Sequence, residues 1–445
     1  MRFMLITLIG FLMLAIALGI DPGPLPGLNL KNAMLYLIML MLVLRVTLDR
    51  RYRIQMPSIP LTFLALLAYA ILTYGVIVLV IHYPGYNWLR MGILLKNSLV
   101  DQMLFFLVFF YGLRSDEEAV QVLKIVLACW AVTHVAAVLS ALGLLQVGRI
   151  EADAGGRVQG LVGEPNQYGA FCALSLAATA SLIFVTRGFW RLFWIGATAV
   201  SALALIMTVS RGALVGAAVA ACSGLYLFRR FVPPRKLFVF AGWCFLAASV
   251  VVAIASALGF GKLLVSRLLG GARVAGDVEG ISSGRTGIWW TAISVMWDQP
   301  ITLLTGYGWQ MYVNMPFRLA THNHYLASWF NLGLVGLTCA VLLLVLPMRY
   351  ARKAALRADD TVRPLLIGYV IAAMALAASV FFVDLYAPWN YFWAYTGVMM
   401  RIAINAIEGR DAAVAVPARG RATVRAQRER DAHGWGGAPA QRSLR

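Results

Sequence analysis

The stretch IPLTFLALLAYAILTYGVIVLVI, residues 59–81, runs 23 positions without a charged side chain. As an α-helix rising about 1.5 Å per residue it would cross the roughly 30 Å of bilayer hydrocarbon, every central backbone N–H and C=O satisfied within the helix. Working outward from it, apolar runs of comparable length recur at 3–20, 32–48, 97–113, 122–145, 166–185, 192–208, 213–228, 237–258, 324–346, 365–383 and 389–406. The expectation is an all-α polytopic membrane protein of about twelve transmembrane helices, with a transmembrane domain over 1–406. A long loop, 259–321, separates spans nine and ten and carries short helices. A basic tail, 407–445, has no apolar period and is expected to be disordered. Because no small-residue cleavage site precedes Asp21-Pro22, the first run reads as a retained span rather than a removed signal.

Composition supports the same class. Of 445 residues, 61% are hydrophobic and only 13% charged, too few polar groups to cover a soluble core. The net charge of +19 would suit a nucleic-acid binder, but most Arg and Lys sit in short connectors and in the tail, with no basic helix interleaved with aromatic platforms. Membrane lipids, not nucleic acid, are the expected partner of that charge. Positive residues concentrate in alternate connectors: Arg50, Arg51 and Arg53; Arg114; Arg187 and Arg191; Arg229, Arg230, Arg235 and Lys236; Arg349 to Arg363. By the positive-inside rule these connectors and both termini are cytoplasmic. The five cysteines lie within apolar runs without a CxxC pair and read as packing residues.

Four polar groups then fall on the opposite face. Gly163-Glu-Pro-Asn166 opens span six, where Glu164 and Asn166 are candidates to line a polar pocket or simply to cap the helix. Ser210-Arg211-Gly212 forms the tight turn between spans seven and eight. Arg at membrane depth needs an anionic or carbonyl partner, and its planar fork of donors suits a diphosphate. Arg285 follows Ser282-Ser283-Gly284 at the start of a helical stretch with Trp289, Trp290 and Trp297, where free N–H groups would assist anion binding. Lys262 to Leu269 reads as an interfacial helix. Thr321-His322-Asn323-His324 leads into span ten, followed by Gly333-Leu-Val-Gly336, whose small residues are expected to admit a neighbouring helix. Neither His-x-His nor Asp277, Glu279 and Asp298 makes a convincing metal site.

Together these residues resemble the O-antigen ligase and polymerase superfamily. The match rests on His322-Asn323, nine residues, then Gly333-x-x-Gly336, with Gly163-Glu-Pro-Asn166, Ser210-Arg211-Gly212, Gly284-Arg285 before Trp289, and Pro300 before Gly306-Tyr307-Gly308 in the family's order. The resemblance implies a membrane-embedded, GT-C-like glycosyltransferase in the inner membrane of a Gram-negative bacterium, working on the periplasmic face. It implies an undecaprenyl-diphosphate-linked glycan as donor and lipid A–core as acceptor. Arg211 and Arg285 would then hold the diphosphate, and His322 would serve as general base or orient the acceptor, imidazole titrating near working pH as a class. Glu164 is the second candidate base; Asn323, Asn166, Ser210, Tyr307 and His324 are supporting residues. The arginines suggest metal-independent chemistry without a cofactor, and direct displacement suggests inversion. A monomer is expected. Rival readings are an O-antigen polymerase, a protein O-oligosaccharyltransferase and, from another class, a polysaccharide transporter or flippase, which would call for mid-membrane charges and an internal repeat.

Overall fold

The computed structural model describes residues 2–17, 29–48, 55–56, 58–145, 156–229, 233–269, 284–316, 320–385 and 389–415. The turn at 21–27, the arginines at 50, 51 and 53, Asp277, Glu279, Ser282, Ser283 and the tail beyond 415 lie outside the described residues. Helices occupy every expected span: α1 Arg2–Ala17, α2 Leu30–Leu48, α3 Ser58–Val76, α4 Trp88–Leu95, α5 Asp101–Tyr111, α6 Asp116–Ala141, α7 Pro165–Val185, α8 Gly188–Met207, α9 Arg211–Phe228 and α10 Pro234–Ala255. The loop carries α11 Gly261–Leu269, α12 Arg285–Asp298 and α13 Ile301–Thr305, and α14 His324–Ala355, α15 Arg363–Ser379 and α16 Trp389–Ala415 complete the chain. Among the described residues nine helices are long and apolar enough to cross a membrane, and Arg2–Phe11 and Arg363–Ser379 are shorter apolar helices. The protein is therefore membrane-embedded.

Helix α7 is the hub, packed against α8, α9 and α15, while α16 packs on α5 and α14 on α3. Small residues permit the crossings: Gly368 lies against Ser181, and a Cβ at Gly216 would meet the Ser379 hydroxyl at 2.0 Å. Although rich in Trp and Tyr, α16 is interior, with Tyr391, Phe392, Trp393 and Tyr395 all buried. It runs to Ala415, past the boundary expected at 406.

Two expected features change. Span four begins at Trp88 rather than 97, continuous with α5 through a π-helical turn at Lys96–Val100. Arg90 and Lys96 made the segment read as a connector. In the fold, Asn87 caps the helix and Lys96 Nζ pairs with Asp101 at 3.0 Å, which lets both charges sit inside a span. Asp101 is thus a buried, mid-helix charge also bonded by the Tyr36 hydroxyl at 2.8 Å.

The second change is in span ten. Gly333 breaks α14, with Leu332 and Gly333 outside helical geometry and Gly333 at φ 57°, and the helix it admits closely is the short α13 of the loop. The break exposes the carbonyls of Phe330 and Asn331, which accept from the amides of Tyr307 at 2.9 Å and Gly308 at 2.7 Å. A Cβ on Gly333 would stand 2.1 Å from the Leu304 carbonyl oxygen, so backbone crosses backbone there. The Gly306-Tyr-Gly308 turn and the Gly333-x-x-Gly336 motif are the two halves of one junction.

A buried polar pin holds α6 to α7. His134 Nδ1 bonds the Tyr168 hydroxyl at 2.8 Å and Nε2 the Ser175 hydroxyl at 2.7 Å. One ring nitrogen of the neutral imidazole donates and the other accepts, and the hydroxyls of Tyr168 and Ser175 can serve either arrangement. Tyr168→Phe leaves Nδ1 only the long 3.7 Å contact with the Cys172 thiol and is expected to cost about 1–3 kcal/mol of stability. Thermal melting of the detergent-solubilised protein measures it; an unchanged melting temperature would show that the pin does not stabilise the fold.

Candidate active site

Helix starts position the polar side chains at one end of the bundle. Glu164 caps α7: Oε2 accepts from the Gln167 amide at 2.6 Å, and Oε1 from the Asn166 Nδ2 at 2.6 Å. Asn166 Oδ1 in turn accepts from Arg157 Nη2 at 3.0 Å and from the Ser210 hydroxyl at 3.1 Å. Arg157 Nε donates to the Thr208 carbonyl at 3.0 Å, and Ser210 caps α9 by accepting from the Ala213 amide. This net ties 157–166 to 208–210 and sets Arg211 as the first residue of α9. It also holds Val209 at φ 49°, a β-branched residue in the left-handed region, at a cost on the order of 1–3 kcal/mol.

Arg285 opens α12 after Gly284, whose φ of 76° makes the sharp turn, as the sequence suggested. It is half-buried and within electrostatic reach of Glu164, Arg157, Arg211 and Asp384. Burial is the main influence lowering its proton affinity from the ordinary value. Glu164 and Asp384 oppose that influence, while Arg157 and Arg211 add to it. Three guanidinium groups and two carboxylates therefore converge from four separate parts of the chain.

One turn further along α12, Trp289 Nε1 donates to the Thr321 carbonyl at 2.8 Å and docks the helix on the His motif. There His322 sits at φ 48° and its amide donates to Asp384 Oδ2 at 3.0 Å; the Thr321 hydroxyl donates to the same oxygen at 2.5 Å. Asp384 is 6% exposed, and its Oδ1 has no hydrogen-bond partner among the described residues. Burial pushes its carboxyl up from the ordinary value, with the Thr321 hydroxyl, His322 and the Asn323 backbone N–H pulling the other way. The His322 imidazole makes no hydrogen bond among the described residues and remains available to a substrate.

The supporting residues divide. Asn166 and Ser210 belong to the net around Arg157. Asn323, expected to position His322 or a sugar, caps α14 with Oδ1, accepting from the amides of Tyr325 and Leu326 at 3.0 Å each. The Tyr307 hydroxyl donates to the Val295 carbonyl at 2.7 Å and its ring stacks on Phe330 at 4.7 Å. His324 stands apart from His322, its ring 5.2 Å from that of Trp389 and its amide bonded to the Val380 carbonyl. Among the described residues no three His, Cys, Asp or Glu side chains gather as metal ligands.

Sequence reading missed Arg157 and Asp384. Arg157 had a signal, since positive residues are sparse in the connectors of this end and each one calls for a reason. Asp384 had almost none: it is a lone acid in the connector between α15 and α16, meeting a partner 62 residues away.

Residues 196–341 match the Wzy_C family, described as O-antigen ligase. The matched stretch contains Arg211, Arg285 and His322, and the net around Arg157 and Glu164 and the carboxylate of Asp384 reach the site from outside it. No curated protein matches the chain.

Proposed function

As a member of the O-antigen ligase superfamily, this chain is, we propose, a glycosyltransferase that moves a glycan from undecaprenyl diphosphate to a sugar hydroxyl of lipid A–core. The observation that carries the reading is the bridge made by α12, which brings Arg285 beside Arg157 and Arg211 and, through Trp289, fixes that cationic cluster against Thr321-His322 and Asp384. Diphosphate-binding charge and a proton acceptor are thereby neighbours at one membrane surface, which is what displacement of a polyprenyl diphosphate requires.

In the proposed step the acceptor hydroxyl oxygen attacks the anomeric carbon, the bond from that carbon to the diphosphate oxygen breaks, and the hydroxyl proton passes to the His322 imidazole. The electron pair leaves with the diphosphate, which stays on its lipid. Arg157, Arg211 and Arg285 stabilise the charge gathering there and supply the positive potential that other transferases draw from a divalent ion. Glu164 has both carboxylate oxygens engaged, which favours it as the group that orients Asn166 and counters the arginines, with His322 as base. A single displacement inverts the anomeric centre. The cluster lies at the end of the bundle opposite the Arg-rich connectors, so the positive-inside rule supports a periplasmic site in an inner membrane.

The test is complementation in a strain lacking the protein, comparing wild type, His322→Ala and Arg211→Ala at matched membrane levels. Loss of long-chain lipopolysaccharide in both variants, with polymer accumulating on its lipid carrier, is the expected outcome. Disappearance of carrier-linked polymer would make the protein a polymerase, and wild-type behaviour of both variants would overturn the site.

A further inference from the structure

Against the contact between Thr321 and Asp384 lies a cavity of about 130 Å³, lined by α3, the π-helical turn at Lys96–Val100, α14, α16 and the turn at 309–313. At the roughly 30 Å³ that a water occupies in the liquid, the space holds about four waters and admits the hydroxyl-bearing edge of a sugar ring. Its wall carries unused hydrogen-bonding groups. Asp384 Oδ1 is buried without a partner, and the Gln310 amide and His324 imidazole also line the space without side-chain hydrogen bonds, all among the described residues. Gln310 is held at φ 54°, a strained conformation for a residue with a Cβ. Buried polar groups are ordinarily satisfied, and a buried carboxylate oxygen left open on a cavity wall, with two further polar side chains beside it, is the pattern of a ligand site.

The lining also states what kind of ligand. Neither Arg nor Lys lines the cavity among the described residues, and a carboxylate does, so a diphosphate would be repelled from it. A neutral sugar fits this mixture. Its hydroxyls donate to a carboxylate and exchange hydrogen bonds with an amide, while its C–H faces pack on aromatic rings such as Tyr312, Trp389 and Trp393. Phe63, Leu66 and Leu343 make one side of the cavity apolar. Asp384 belongs to the cavity wall and is also felt electrostatically by Arg285, so the cavity adjoins the cationic cluster.

We propose that this cavity is the subsite for one neutral sugar residue of the acceptor, with Asp384 Oδ1 and Gln310 receiving its hydroxyls. The proposal rests on the glycosyltransferase reading and deepens it by separating the two substrates: anionic donor on the arginine side, neutral acceptor sugar on the carboxylate and aromatic side.

Full-length protein in lipid nanodiscs tests it in two ways. Saturation-transfer NMR with neutral methyl hexopyranosides is expected to show binding to wild type that inorganic pyrophosphate does not displace. Binding should be lost in Ala327→Phe, which fills the cavity, and in Gln310→Leu, which fills no space and guards against misfolding of the first. In transfer assays both variants should raise the acceptor KM about tenfold or more while kcat and donor KM stay within about twofold. Absence of glycoside binding to folded wild type would overturn the proposal, as would a rise in donor KM in place of acceptor KM, which would make the cavity a slot for the donor's hydrocarbon chain. Because binding is read without turnover, glycoside binding in a protein that transfers nothing would support a saccharide site and overturn the catalytic reading alone.

Discussion

Arg285→Ala is expected to slow glycan transfer by about 10²–10³-fold, on the order of 3–4 kcal/mol of transition-state stabilisation, without loss of folded protein. Arg285 is half-buried at the head of α12, and burial together with Arg157 and Arg211 lowers its proton affinity. Burial of the charge and the neighbouring like charges disfavour the cation, and Glu164 and Asp384 oppose them. The arrangement gains when a polyanion arrives, because the donors are already aimed and need no reorganisation. Two further results follow. Inorganic pyrophosphate should raise the melting temperature of wild type and leave that of Arg285→Ala unmoved. Arg285→Lys keeps the charge but loses the planar fork, so it should recover only part of the rate. Initial rates and melting curves on the same preparations decide the matter: transfer at the wild-type rate, or equal protection of the variant by pyrophosphate, would remove Arg285 from the donor site.

Why Arg285 was visible in the sequence and Asp384 was not is a matter of range. Apolar runs report spans directly because each span solves its own backbone problem within about twenty residues. Lys96 shows the limit of that logic: its charge ended the run on paper, and its partner Asp101, one turn on, cancels that effect in the fold. Helix-start chemistry is equally local, so the positions of Glu164, Ser210 and Arg285 were legible, as was the weight of Thr321-His322-Asn323. What each member does was less so. Asn323 is spent on two amides of its own helix, and Tyr307 is spent on Val295 and Phe330. Gly333-x-x-Gly336 fits close helix packing and a broken helix equally well as a string, and only the turn at Gly306–Gly308, arriving from elsewhere, decides for the break. Asp384 and the cavity beside it are products of tertiary contact alone.

Asp384→Asn is expected to stabilise the protein at neutral pH while depressing transfer about ten- to a hundredfold. Burial holds the folded-state carboxyl above its ordinary value, and Oδ1 lacks a partner among the described residues. Folding therefore favours the protonated acid. That contribution is complete below the unfolded-state pKa and is lost as pH rises through the higher folded-state value, so ionised Asp384 is a net cost at neutral pH. The amide keeps an oxygen for the Thr321 hydroxyl and the His322 N–H and removes the charge, which should return about 1–3 kcal/mol. The melting temperatures of wild type and variant should converge in acid and separate as pH rises above the ordinary carboxylate range, with the variant higher. A variant that melts lower at neutral pH, or a gap that ignores pH, would show that Asp384 is a structural strut rather than a strained functional group. If the gap opens as expected and transfer falls with it, the carboxylate is retained against the interest of the fold. A substrate hydroxyl is then the expected partner of the retained carboxylate, in keeping with the acceptor subsite proposed above.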